Sequence, residues 1–404
     1  MRGNGYNLSI VKEENDERIL EIIFKQAPVK RGDVARQLGL ALPTITGRVS
    51  DLLERKILLE DGASAQVKEI GRKPQYLRIN PEAGYAVGIE LGPYITALCI
   101  TDACGSVIDQ AEYPRMCDDY DEMLDTTAGY VRQLLKNHRI AKNRVMGVGI
   151  GIPGFVRSTE GVVRDSFRKA WKQKPIAEDL TKKIGIKVII DNNVRARITR
   201  EELLARTHRP GNFLYYFVSY GIAGSLMINH DVYSGLTAGA GEVGHMIILH
   251  DNVHTKDHLE DVASEAAILR TCRKAVKEGR AACLHAFADD LNKLSMKDIL
   301  EAQNEGDPDI VQIMQDAVTY LGIGLANIVN FISPKLVIVD GYIMKNDANK
   351  KLLQKVLQDN LFGLNAEEVQ VEFIPFDKFS GALGGAALVI KYIFLANQVN
   401  EPVR

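Results

Sequence analysis

The chain has 404 residues, longer than one ordinary domain, with 46% hydrophobic and 25% charged residues, the balance of a soluble globular protein. Its formal net charge of −2 excludes a globally basic nucleic-acid binder, but the charge is uneven: residues 1–80 hold 14 Lys and Arg against 11 Asp and Glu, the remainder 36 against 41. The five cysteines form no CxxC pair, the N-terminus has no signal-peptide core and no run of about 20 apolar residues occurs, so a reduced, cytoplasmic protein without membrane contact is expected.

Along the first eighty residues, Leu20, Ile22, Ile23 and Phe24 give an apolar face after "KEENDER", and Pro28 stops that helix. "RGDVARQLG" is a short helix with Val34, Ala35 and Leu38 inward, closed by Gly39. A turn at 40–42 leads to "PTITGRVSDLLERK", where Pro43 suits a first helical turn and Ile45, Val49, Leu52 and Leu53 make an amphipathic stripe. This is a helix-turn-helix pattern. "ILLEDGASAQVKEI" then reads as strand, turn, strand, a wing, and Pro74 to Pro81 as a short connection. Double-stranded operator DNA is the expected partner of this head, residues 1–80. Pro43 opens the recognition helix, Thr44, Thr46, Arg48 and Ser50 face the major groove, and Arg72 and Lys73 neutralise phosphates or enter a minor groove. A small helical adaptor with a solvated basic face is the alternative.

The body, residues 81–404, opens with three strands in "YAVGIELGPYITALCITDACGSVIDQAEY", turning at 91–94 and 102–105. A helix follows, then the apolar strand "VMGVGIGIPGFV". Next, "IIDNNVRARITREELL" passes from strand to helix through two amides, Asn192 and Asn193. A second strand pair, "FLYYFVSYGIAGSLMIN", a mostly helical region near 260–330, the strands "KLVIVDGYI" and "VQVEFIPF", and the glycine-rich helix "SGALGGAALVI" complete the chain. Two strand-rich blocks, each followed by helices, predict two α/β lobes with a cleft between them.

Five pieces in order, "GVGIGIPGFV", "DNNVRARITREE", "SGLTAGAGEVGHMII", "LEDVAS" and "LGIGLANIVNFISPKLVIVDG", resemble the ROK family of sugar kinases and sugar-responsive repressors. The resemblance implies a two-lobed actin-like sugar-kinase fold preceded by a winged helix-turn-helix, the repressor arrangement. It implies that Asn192, Glu242, His245 and Glu260 hydrogen-bond a monosaccharide of the xylose, glucose or N-acetylglucosamine class, with Gly154 at the same pocket. Such groups suit a neutral polyol by their own chemistry.

The phosphoryl-transfer side departs from the family's pattern. The first phosphate loop, Asp-x-Gly-Gly-Thr in the kinases, is Glu90-Leu91-Gly92-Pro93-Tyr94, and Pro93 has no N–H to offer. The second, Gly-Thr-Gly, is Ser219-Tyr220-Gly221. The catalytic aspartate falls on Asn193, whose amide cannot take a hydroxyl proton, a loss that costs about 10²–10⁴ in rate. The family's zinc cysteines are also missing. His258 stands at the last of them, with His245, His250 and His254 near; these read as solvated loop histidines, with a histidine-rich zinc site as the alternative, and no structural zinc and no cofactor is expected. The expected function is a sugar-responsive repressor without kinase activity, acting as a homodimer or tetramer on a palindromic operator. Asn193 then joins Asn192 as a sugar-holding residue. The alternatives are an ATP-dependent sugar kinase with an accessory DNA-binding head, and a regulator whose head is sequestered by a protein partner.

Overall fold

The structure, a computed structural model, describes residues 8–62, 75–166, 168–205, 209–249, 256–288, 290–364 and 368–396. In chain order the elements begin with α1 (Leu8–Gln26), α2 (Arg31–Leu38), α3 (Leu42–Glu54), β1 (Leu58–Gly62) and β2 (Gln75–Ile79). Then come β3 (Tyr85–Leu91), β4 (Ile95–Asp102), β5 (Val107–Pro114), α4 (Tyr120–Asn137), β6 (Val145–Ile152), β7 (Phe155–Arg157), β8 (Val162–Asp165), α5 (Ile176–Ile184), β9 (Val188–Asn192) and α6 (Asn193–Leu204). They continue with β10 (Phe213–Val218), β11 (Ile222–Ile228), β12 (Asp231–Tyr233), β13 (Ile247–Leu249), β14 (Lys256–His258), α7 (Leu259–Ala263), α8 (Glu265–Lys277), α9 (Met296–Glu305) and α10 (Pro308–Ile332). The last are β15 (Leu336–Gly341), α11 (Asp347–Asp359), β16 (Gln370–Phe373) and α12 (Ser380–Val389), which runs into a π-helical turn, Ile390–Leu395. Two compact units result: residues 1–206 with 379–404, and residues 207–378.

Each unit holds a five-stranded sheet of the same pattern. In the first the order is β5-β4-β3-β6-β9, an antiparallel meander followed by strands parallel to β3; in the second it is β12-β11-β10-β15-β16, again three antiparallel strands and then two parallel ones. The opening meander matches the expectation from "YAVGIELGPYITALCITDACGSVIDQAEY". The apolar run "VMGVGIGIPGFV" does not form one strand: it breaks at Pro153-Gly154, where Gly154 takes φ 119°, between β6 and β7.

The first sheet is covered on both faces. One face carries large residues, Val87, Ile89, Leu98, Val148 and Ile150, packed on α4, α5 and Trp171. The other carries Ala86, Gly88, Ala97, Cys99 and Gly149, small enough for α12 to lie against the strands. A Cβ on Gly88 would sit 1.9 Å from the carbonyl oxygen of Ala382, and one on Gly149 2.0 Å from that of Gly385. Only glycine permits this approach of two backbones.

The head does not have a core of its own. Ile19, Leu20, Ile23, Val34, Ile45, Val49, Leu52, Leu58, Leu77 and Ile79 form one continuous apolar cluster with Met146, Ala386, Ile390, Ile393 and Phe394. Burying one such aliphatic or aromatic side chain contributes roughly 1.5–3 kcal/mol, so the cluster binds the head to its unit strongly. Within the head, Gly39 closes α2 with φ 66°, as its sequence position predicts. The wing departs from expectation. Its return strand is β2, paired from Leu58↔Ile79 to Gly62↔Gln75, in the stretch read as a connection. Pro74 precedes the strand in the sequence and lies outside the described residues, while Leu77 and Ile79 alternate inward. The residues assigned to the return strand from sequence, 65–70, lie outside the described residues.

Candidate functional site

The passage from β9 to α6 is built by the two amides. Asn192 caps α6: its Oδ1 accepts from the backbone N–H of Val194 at 2.8 Å and of Arg195 at 3.2 Å, satisfying two of the helix's orphan donors. Its Nδ2 donates to the Gly154 carbonyl at 2.9 Å, so Asn192 and Gly154 are brought together. Asn193, buried, donates from Nδ2 to Glu90 Oε1 at 3.3 Å. The same carboxylate takes Arg197 Nη2 at 2.8 and 2.7 Å, and lies against the Cα of Gly381 at the start of α12. A neutral amide therefore sits beside a carboxylate already neutralised by an arginine.

Sequence reasoning missed the charges beneath this surface. Arg195 Nε donates to Asp191 Oδ1 at 2.7 Å and Arg195 Nη2 to the Val156 carbonyl at 2.6 Å, all buried. Burial pushes the Asp191 carboxyl above its ordinary range, against the pull of Arg195. The i, i+4 spacing of Asp191 and Arg195 was the available signal. Arg168, also missed, donates to the carbonyls of Met116 at 2.7 Å and Gly92 at 3.1 Å, with its guanidinium 4.4 Å from the Trp171 ring centroid. It thus pins the 91–94 turn from below. Desolvation lowers its pKa from the usual arginine value.

In the second unit, Ser219 and Gly221 close a tight turn, Ser219 N–H to Gly221 carbonyl at 2.9 Å, and Glu265 N–H donates to the Ser219 carbonyl at 2.9 Å. The Glu260 carboxylate sits beside it. A Cβ on Gly221 would lie 3.2 Å from Glu260 Oε2, and one on Gly244 2.8 Å from the same atom. His245 Nε2 is 3.5 Å from Glu260 Oε1, and the rings of His245 and His258 meet edge-on at 5.3 Å. Glu242 begins the single 3-10 turn that carries His245. The fold thus brings His245 and Glu260 together, with Glu242 at the start of the turn that carries His245 and Gly221 against Glu260. His258 caps α7 with Asp261; His250 and His254 lie outside the described residues. Among the described residues no group of three or more His, Cys, Asp or Glu converges to hold a metal. Tyr94 and Tyr220, at the two phosphate-loop positions, are 47% and 50% exposed.

On the head, Pro43, Thr44 and Ser50 are exposed and Thr46 is half-buried. Arg48 corrects the sequence reading. Its Nε donates to Asp16 Oδ1 at 2.7 Å and its Nη2 to Asp16 Oδ2, and Asp16 is 1% exposed. The guanidinium bolts the recognition helix α3 to α1 instead of standing free toward DNA, because a carboxylate buried on α1 demands a partner. Its pKa is raised, chiefly by that hydrogen bond. Arg72 and Lys73 lie outside the described residues.

A winged helix-turn-helix joined to an α/β body with two sheets of one repeated pattern defines a DNA-binding transcriptional regulator. Residues 86–392 match the ROK family and residues 12–58 match winged helix-turn-helix DNA-binding domains. The chain belongs to the ROK family, in its repressor branch. It is similar to the xylose repressor of Caldicellulosiruptor bescii, 24% identical with 95% of this chain and 97% of that one covered. Among solved structures it is similar to a ROK family transcriptional regulator, a homolog of the E. coli MLC protein, with a TM-score of 0.82, 22% identity and 96% and 98% of the two chains covered. It is also similar to the ROK family glucokinase of Streptomyces griseus in complex with glucose and AMPPNP, with a TM-score of 0.66, 21% identity and coverage of 76% and 99%. No described helix is long and apolar enough to cross a membrane.

Proposed function

We propose that the protein represses transcription by binding a palindromic operator as a homodimer or tetramer, and that a monosaccharide modulates that binding without being phosphorylated. The residues assigned to the sugar are Gly154, Asn192, Asn193, Glu242, His245 and Glu260. Thr44, Thr46 and Ser50, behind Pro43, face operator DNA, with Arg72 and Lys73 on its phosphates. The carrying observation is Asn193. Its amide faces a carboxylate that Arg197 already closes, so no free base stands where the kinases use an aspartate. Pro93 and Tyr220 support the same reading. Asn192 spends its oxygen on the cap and one N–H on Gly154, leaving one N–H for a hydroxyl.

The test is an operator-release assay with purified protein and a panel of pentoses, hexoses and N-acetylated hexosamines, run beside a coupled assay for ATP consumption. Release by one sugar without ATP turnover supports the proposal. Sugar-dependent turnover at roughly 1–10³ per second makes the protein a kinase, and release only by an added protein makes it a protein-responsive regulator.

A further inference from the structure

Lys25, at the end of α1, donates to Glu202 Oε1 at 2.8 Å. Glu202 lies in the last turn of α6, its side chain only 4% exposed, against 29% for Lys25. The pair joins the DNA-binding head to the helix whose first residue is Asn193. Nine residues separate Asn193 from Glu202, about 14 Å along a helix axis. Over that length α6 is held as a rigid body. Asp191 grips Arg195 and Glu90 grips Arg197. Arg200 donates to Ser380 Oγ at 3.2 Å, and a Cβ on Gly384 would meet the Ala196 backbone carbon at 2.7 Å.

We infer that Glu202 is a positioning residue for the head: through Lys25 it latches α1 to α6, so that a ligand acting on Asn192 and Asn193 moves the head with the helix. The inference rests on the proposed function for its ligand, but the latch itself does not. An exposed ion pair would be too weak for this role. Here removal of either partner strips a nearly buried carboxylate or its counter-ion, which is far more costly. Ile23 of α1 and Leu203 and Leu204 of α6 belong to one apolar cluster, which holds the two helices in one body without specifying their alignment.

The experiment is a charge swap in the full-length protein: Lys25→Glu, Glu202→Lys, the double variant and the milder Glu202→Gln. Two readouts are taken. The first is amide hydrogen exchange of α1 and α3 without sugar or DNA. The second is the ratio of operator dissociation constants with and without the releasing sugar, a coupling of roughly 5–150-fold in typical regulators. Each single variant should speed exchange in the head and bring the ratio toward one, and the double variant should restore both. Exchange and ratio unchanged in the single variants would overturn the latch. So would a double variant that recovers neither, since Lys25 would then act on DNA directly or Glu202 on its own unit. If no sugar releases the wild type while exchange follows the swap, the proposed function fails and the latch stands.

Discussion

The side-chain amide of Asn193 donates to Glu90 across 103 residues of sequence, at 3.3 Å, in a buried setting. An aspartate there would set a second carboxylate against Glu90 with one guanidinium, Arg197, to serve both. Asn193→Asp should therefore lose about 1–3 kcal/mol of stability and gain no sugar-dependent ATP consumption. Chemical denaturation and a coupled assay check the two halves. Recovered turnover would mean that the amide alone separates this site from a kinase.

Arg48→Ala should cost about 2–3 kcal/mol, toward the low end for an uncompensated buried charge because the guanidinium is partly exposed. Operator binding should fall because α3 loses its anchor on α1. Asp16→Asn should weaken binding as well, although Asp16 cannot touch DNA. A base-reading Arg48 would show the opposite: Arg48→Ala would keep the head's thermal stability, and Asp16→Asn would bind normally.

Gly149→Ala should destabilise by about 1–3 kcal/mol or more, since its Cβ would strike the Gly385 carbonyl oxygen, a backbone atom that cannot step aside. Gly129→Ala, in α4 with nothing within 4 Å of the new carbon, should stabilise by roughly 0.5–1 kcal/mol. Paired melting curves decide, and a Gly149→Ala protein that melts no lower than wild type would show that the two backbones can part without cost.

Asp109 accepts from the ring of His138 at 2.7 Å, which, with a further hydrogen bond from the Gln110 N–H, holds its carboxyl below the ordinary range. A depressed carboxyl stabilises the fold above its unfolded pKa and loses that contribution as pH falls through the folded value. Asp109→Asn should thus be less stable than wild type near neutrality, and the two should converge below about pH 4. A gap that stays constant as the pH falls through the acid range would assign the effect to packing.

Glu260→Ala should weaken sugar binding by about ten- to more than a hundredfold, the loss of one charge-assisted hydrogen bond, with operator affinity unchanged without sugar. Glu242→Ala should behave alike. Calorimetry with the releasing sugar measures it, and wild-type affinity in both variants would move the pocket elsewhere.

Local patterns carried much of the architecture. The turns of the meander, the α3 stripe and the Gly39 cap are all short-range signals, and β3 to β5, α3 and the end of α2 followed from them. What stayed hidden was contact across distance. Nothing near Arg48 announces Asp16, 32 residues away, and nothing near Asn193 announces Glu90. Short pairings were also lost: β7 with β8, β13 with β14, and the helix α5 fall in stretches too brief or too polar for periodicity to register. The wing's return strand was displaced because a proline next to a strand and a proline ending a linker look the same in a sequence. Glu242, His245 and Glu260, the residues proposed for the sugar, were singled out only through resemblance, because they lie on a short turn and a helix start that have no period.

The glycine contacts of α12 have a consequence for biosynthesis. Gly88 is translated about 290 residues before Gly381, which at ordinary elongation rates is roughly 15–60 s. Throughout that interval the small-residue face of the first sheet, and the apolar side of the head that shares it, have no covering helix. A fragment that stops before α12 therefore lacks the residues that complete the apolar cluster of its own head.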